Sequence, residues 1–362
     1  MSTRIIRRSP STLPVLRAIV ALLFMVGATS YLLDASEPPK TTNKPTPTTV
    51  SALLEAAHHS VVSIAVEREK GSDVELPLLE SRLRDEESKA FFSRPDGYVT
   101  GLLLDSDGYV LTSNYNVYGK LVSIRVTLAN GKSFGAKLVA RSVRDDIALL
   151  KIERDEGEAA LNAPTIRWAA VNSVRAGQIV FALGRSPDPS RPTVTKGIVS
   201  TVKRNGGRAV QTDAELNYGN VGGPLINLNG AIVALSCFVG HNQPQWGVNS
   251  GVGFGTTAAT IERLLPRLKE GNDIKPALLG VLWDRKERDT GTGIERVVDD
   301  SPAAKAGLRA GDILLALDGE TLRNFDHLRR LVLNCFGGQK VRVKVQRGEK
   351  ILEVEATLGE RS

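Results

Sequence analysis

The stretch Val122-Ser-Ile-Arg-Val-Thr-Leu-Ala-Asn-Gly-Lys-Ser-Phe-Gly-Ala-Lys-Leu-Val139 reads as one β-hairpin. Val122, Ile124, Val126 and Leu128 alternate with Ser123, Arg125 and Thr127, the period of a strand with one buried face. Asn130-Gly131 then supplies the pair that best accepts the positive φ of a tight turn. Asp107-Gly108 and Asn229-Gly230 punctuate neighbouring strand-like segments in the same way. From Val61 onward the chain is therefore a series of short strands. Strands without intervening helices argue for a closed barrel or sandwich and against parallel α/β. Asn205-Gly206-Gly207 has no helix pattern after it, so it is a turn between strands and no phosphate loop. Mixed charge from Glu67 to Arg94 is expected to be an insertion between strands.

An apolar-periodic helix is predicted over Ala259–Glu270, stopped by Gly271-Asn272, with Pro266 marking a kink or a new start. The pattern then begins again. Leu278-Leu279-Gly280-Val281 is followed by a strand over Gly293–Val298, by Ser301-Pro-Ala-Ala, and by Gly311-Asp312. A helix over Asn324–Phe336 carries apolar residues at Phe325, Leu328, Leu331, Val332 and Cys335, and two strands close the chain.

The N-terminus differs from both regions. Arg4, Arg7 and Arg8 precede the apolar run Ala18–Gly27 and the small residues Ala28-Thr29-Ser30, the layout of an export signal. The run can also be extended through Leu33, which leaves an uncleaved anchor as an open reading. Residues 34–50, rich in Pro and Thr, read as an extended linker. Periplasm or cell envelope is the expected location, with contact to membrane only through that segment.

Composition narrows the function classes. The 362 residues hold 47 Lys and Arg against 40 Asp and Glu. Six of those cations and only two of the acids lie in residues 1–50, so the folded part is close to neutral and nucleic acid is not an expected partner. Cys237 and Cys335 are far apart and near no His cluster, which suggests buried thiols and no zinc site. No metal or cofactor is expected.

Four motifs in order carry a resemblance: Asp105–Val117 (DSDGYVLTSNYNV), Asp146–Ile152 (DIALLKI), Thr193–Ser200 (TVTKGIVS) and Gln211–Leu225 (QTDAELNYGNVGGPL). Together they resemble the HtrA/DegP family of exported trypsin-like serine proteases. The resemblance implies a chymotrypsin-like pair of six-stranded β-barrels with a cleft between them. The segment from Pro276 to Gly359 resembles the PDZ domain appended to such proteases. A mostly β chain is expected: signal peptide or anchor over 1–33, linker over 34–50, protease-like domain over 51–271 and PDZ domain over 276–360.

The same motifs place three residues at the catalytic triad: Tyr115 at the histidine position, Asp146 at the aspartate, and Val221 at the serine of Gly-Asn-Ser-Gly-Gly-Pro. Acyl transfer needs a nucleophilic oxygen or sulfur and a base of near-neutral pKa within reach. Valine offers only methyl groups, and a phenol with a pKa of about 10 is a poor base at neutral pH. The expectation is therefore no enzyme: an exported, inactive HtrA-like protein serving as a peptide-binding, scaffold, chaperone-like or regulatory factor. The alternative is a serine-type endopeptidase of envelope protein quality control with a non-standard active site, for which Ser113, Ser200 and Ser236 are nearby hydroxyls. The N–H groups of Gly219 and Val221 are expected to form an oxyanion-hole-like pair. By resemblance, Leu278, Leu279, Gly280 and Val281 form the PDZ loop that receives a peptide carboxylate. Expected partners are peptides or protein C-termini, and a homo-trimer or a hetero-oligomer with active HtrA paralogues.

Overall fold

The structure, a computed structural model, describes residues 50–69, 97–155, 160–186, 188–217, 219–237, 251–284, 286, 288–289 and 291–361. The leader, the linker up to residue 49, most of the charged insertion and His241 lie outside the described residues.

Six strands form the first barrel: β1 (Val61–Arg68), β2 (Gly97–Leu103), β3 (Tyr109–Thr112), β4 (Leu121–Thr127), β5 (Ser133–Ser142) and β6 (Ile147–Ile152). Their order is β1-β2-β3-β6-β5-β4, and β1 pairs with β4 to close it. The predicted hairpin is β4 and β5, with Thr127 opposite Ser133. At its tip only Gly131 has positive φ (83°). Leu128 N–H donates to the Lys132 carbonyl at 2.9 Å and Gly131 N–H to that of Leu128 at 3.0 Å, so one glycine makes the turn.

The second barrel comprises β7 (Ile179–Gly184), β8 (Thr193–Arg204), β9 (Ala209–Thr212), β10 (Pro224–Asn227), β11 (Ile232–Cys237) and β12 (Gly253–Thr257). Its closed order is β10-β11-β12-β9-β8-β7. Two closed six-stranded barrels match the fold class read from the sequence.

Strand alternation divides the cores. Val62 and Ile64 point into the first barrel with Val110, Val126 and Leu150. Val61, one residue away, faces the seam between barrels with Leu111, Leu149, Leu183 and Leu235. Each such side chain contributes about 1.5 to 3 kcal/mol by leaving water.

Four helices are described here: α1 (Val50–His58), α2 (Ala258–Lys269), α3 (Pro302–Lys305) and α4 (Phe325–Asn334). Thr257 caps α2 by accepting the Thr260 N–H at 3.2 Å, and Ile261, Leu264 and Leu268 seal the seam. Pro266 does not restart this helix, which runs unbroken through it, and that is the first departure from the sequence reading. The proline removes one N–H, that which would reach the Glu262 carbonyl, but the apolar face of α2 is long enough to hold the last turn in place.

The C-terminal region has β13 (Ala277–Leu278), β14 (Val281–Trp283), β15 (Thr292–Val297), β16 (Ile313–Leu317), β17 (Glu320–Thr321), β18 (Lys340–Arg347), β19 (Lys350–Thr357) and β20 (Gly359–Glu360). The main sheet is ordered β14-β15-β16-β18-β19 and packs Leu314, Val343 and Val345 against Leu328 of α4. Arg144, in the β5–β6 turn, donates to the Leu333 carbonyl and, at 3.0 Å, to the Cys335 carbonyl at the end of α4.

Arg185 follows β7 and is 5% exposed. Its guanidinium donates to the carbonyls of Val61 (2.8 Å), His58 (3.1 Å) and Pro189 (3.1 Å). That places a cation beside His58. Burial first, then the charges of Arg185 and His59, pulls the His58 pKa from 6.5 to about 4. The folded state thus holds the neutral imidazole, and the unfolded chain binds a proton first as pH falls. Stability from this source is complete above 6.5 and is lost between pH 6.5 and 4. Urea titrations are expected to show about 2 kcal/mol of loss over that window, allowing for partial exposure. His58→Gln should flatten it, and an unchanged profile would refute the assignment.

Candidate active site

Sequence places the first candidate residue in a tight turn. Ser113 ends the β3 arm and caps a 3-10 turn over Asn114–Val117, accepting the Tyr115 N–H at 3.1 Å. Asp146 enters β6 from the β5–β6 turn with φ 50°, a left-handed conformation that Asp tolerates better than most residues. Its carboxylate accepts the Ser113 Oγ–H at 2.5 Å and the Tyr115 N–H at 2.8 Å. Tyr115 and Asp146 are thus joined through the backbone of residue 115.

The elbow after β9 supplies the third position. Val221 is 5% exposed and Tyr115 4%. Asn116 Nδ2 donates to the Val221 carbonyl at 2.8 Å and to Thr112 Oγ1 at 3.0 Å. One residue beyond Tyr115 therefore clamps the elbow directly, and the three triad positions converge at the seam. Gly222 has φ 89°, and a Cβ there would lie 2.3 Å from the Thr100 carbonyl oxygen, so the elbow can press on the first barrel only as glycine. Thr100 Oγ1 adds a bond to the Gly219 carbonyl at 2.7 Å.

Both expected oxyanion donors are occupied in this turn. Gly219 N–H donates to Asn217 Oδ1 at 2.7 Å, and Val221 N–H to the Asn217 carbonyl at 3.1 Å. A substrate oxygen can reach them only after Asn217 lets go. Sequence reasoning missed Asn217 and Asn116. The Asn-x-Gly spacing, which favours an Asx turn, is the one signal that pointed to the former. Ser236 pairs its backbone with Gly222 and Gly223, and its Oγ is buried. Ser200 ends up in the long strand β8.

A second candidate site lies in the C-terminal region. The carbonyls of Leu279 and Gly280 accept N–H groups from Ala303 (2.9 Å) and Val298 (2.9 Å). Because trans peptides point N–H opposite to C=O, the N–H groups of Gly280 and Val281 face away from those partners, toward the loop's open side. Gly280 has φ 85°, and a Cβ there would be 2.3 Å from that of Ser301. Leu279 is buried in the domain core, whereas Leu278 is exposed. β14 runs along the edge of its sheet, and Trp283 on it stacks on Phe325 of α4 with ring centroids 5.0 Å apart. His327 turns inward from this helix, its Nε2 3.0 Å from Glu320 Oε1.

No group of three or more metal-ligating side chains occurs among the described residues, and no helix there is long and apolar enough to cross a membrane.

Comparison with known proteins adds to this geometry. A trypsin-like peptidase domain profile matches residues 99–235, and a PDZ domain profile matches residues 293–347. The chain is 32% identical over 367 residues to the periplasmic pH-dependent serine endoprotease DegQ of Escherichia coli K12, covering 93% of this chain and 77% of that protein. It is also 32% identical over 280 residues to the periplasmic serine endoprotease DegP of the same strain, covering 73% of this chain but only 57% of DegP. Among solved structures, the serine endoprotease from Yersinia pestis aligns with a TM-score of 0.59 and 25% identity, over 88% of this chain and 100% of that one. The HtrA-type protease AlgW with a decapeptide aligns in fold with a TM-score of 0.62, over 87% of this chain and 99% of that one.

These relatives correct one expectation. Absence of enzyme activity was read from Tyr115 and Val221 alone, but the proteins matched over most of the chain are named serine endoproteases, and their family points to proteolysis. Two substitutions remove those two side chains from any mechanism and leave other groups at the seam in place.

Proposed function

Since the chain belongs to the HtrA/DegP family of trypsin-like serine proteases carrying a PDZ domain, we propose that it is a serine-type endopeptidase of cell-envelope protein quality control with a non-standard active site. Peptides or protein C-termini dock at the Leu278–Val281 loop, and the polypeptide is cut at the seam between barrels. The periplasmic relatives support the location, and oligomerisation as a homo-trimer or with paralogues belongs to the same reading.

The observation that carries the proposal is Asp146 accepting the Ser113 Oγ–H at 2.5 Å. Valine at 221 contributes no nucleophile, so the attacking atom must come from elsewhere, and this hydroxyl already shares its proton with a base. In the step proposed, Ser113 Oγ attacks the substrate carbonyl carbon while its proton passes to Asp146. That proton then goes to the leaving amine as the amide C–N bond breaks, and water hydrolyses the ester. A carboxylate is a weaker base than the imidazole it replaces, so turnover is expected to be slow. Ser113 is fully enclosed, so the seam must open for substrate.

The test uses the purified full chain with casein. Cleavage should fall at least about 100-fold in Ser113→Ala and in Asp146→Asn, and a fluorophosphonate should label Ser113. No cleavage by the natural chain, or cleavage that both variants retain, would overturn the proposal.

A further inference from the structure

A cavity of about 330 Å³ opens at the end of the second barrel, away from the seam residues described above. Its walls are Val174, Val202, Val210 and Val233, the last two buried members of the barrel core. Ala169, Ala176, Ala258 and Ala259 add to an interior that is mostly aliphatic and has no aromatic side chain, with Asn172 and Thr257 as its uncharged polar side chains. The volume lies within the range of small-molecule sites.

The mouth has the opposite character. Arg175 and Lys203 stand at it, both exposed. Neither forms an ion pair with a carboxylate among the described residues, and the Arg175 guanidinium donates to the neighbouring Val174 carbonyl, at 3.2 Å. Lys203 is held at φ 62°, in the part of β8 where register against β9 slips between Thr201 and Arg204. A left-handed lysine inside a strand is a local cost, and here it sets the cation at the rim. Ala258 and Ala259 bring the first turn of the 12-residue helix α2 to the wall, with no acidic residue in that turn. Positive charge and a positive helix end therefore converge on an aliphatic hole.

We infer that this cavity binds a medium-chain fatty acid, with its alkyl chain among the valines and its carboxylate between Lys203 and Arg175. A peptide end shares the carboxylate but would carry several amide N–H and C=O groups into a lining whose uncharged polar side chains are Asn172 and Thr257, a penalty the alkyl chain avoids. The charge excludes a neutral lipid as the preferred occupant.

The experiment is calorimetry and thermal unfolding of the full chain with decanoate, kept below its micellar concentration. Binding should appear as heat and as a melting temperature that rises with decanoate concentration. Decanol, with the same chain and no charge, and butanoate, with the same head and little chain, should each bind at least about tenfold more weakly. Lys203→Glu with Arg175→Glu, both exposed and outside the core, should lose decanoate binding while the circular dichroism stays unchanged. If these two changes disturb the fold, Lys203→Gln alone should still weaken binding. Absence of any decanoate binding would overturn the inference. So would equal binding of decanol, retention of affinity by the folded charge variants, or a valine-terminated peptide that competes as well as decanoate.

Discussion

Asp145→Ala should lower the melting temperature of the protein by roughly 10 °C, a loss of about 3 to 5 kcal/mol. The Asp145 side chain is 1% exposed and takes Arg208 at 3.0 Å and Arg144 at 3.2 Å. It also accepts the Ser142 Oγ–H at 2.6 Å. Removing it strands two largely buried guanidinium groups, and breaking one side of a buried pair costs far more than the pair itself contributes. Because Arg144 also bonds the last carbonyls of α4, the variant should loosen the C-terminal region as well. Lys137→Ala is the control. Its partner Glu153 is exposed, as is Lys137, and almost no change in melting temperature is expected. Equal shifts for the two variants would show that the Asp145 network does not hold the β5–β6 turn.

The largest change in activity is expected from Tyr115→His combined with Val221→Ser. The double variant should cleave casein about 1000-fold faster than the natural chain, while either change alone gives almost none of that gain, since a triad works as a unit. Asp146 is already fixed beside residue 115, and Asn116 already clamps the elbow that carries residue 221. The gain should remain below that of a complete site as long as Asn217 holds the Gly219 and Val221 N–H groups, because an oxyanion donor is worth about 100- to 1000-fold. Adding Asn217→Gly should raise it further. A folded double variant no faster than the natural chain would mean that the seam has diverged beyond these positions.

The barrels were legible because their strands alternate: Val62, Ile64 and Val126 announce an inner face without knowledge of their partners. Tyr115, Asp146 and Val221 were nominated from short motifs. What those motifs could not convey was the state of the backbone around them. Whether the Gly219 and Val221 N–H groups are free depends on the bonds Asn217 makes to them through its side chain and its carbonyl, and the Gly-Asn-x-Gly-Gly pattern does not report those bonds. Arg185 escaped notice for another reason. In Gly184-Arg-Ser-Pro-Asp188 it looks like a solvated loop residue, and its burial comes from α1, well over 100 positions earlier. Trp283 and Phe325 are likewise joined only by tertiary folding. Pro266 misled in the other direction, since packing of Leu264 and Leu268 outweighs one missing hydrogen bond. The contradiction over activity is of a different kind: two missing side chains argue about two positions, and the relatives argue about the chain.

Barrel closure also sets how this protein must fold. β1 cannot finish pairing until β4 has been made, with Ile64 meeting Val126 and Ser63 meeting Thr127. β7 waits in the same way for β10, where Ala182 meets Leu225. Such distant pairings must pay their loop-closure entropy before they return any energy, which slows folding toward the millisecond-to-second range. During that interval β1 and β7 each offer an unpaired edge. A chain of this kind is therefore most open to capture by other extended polypeptides before it is finished, and least open once both rings have shut.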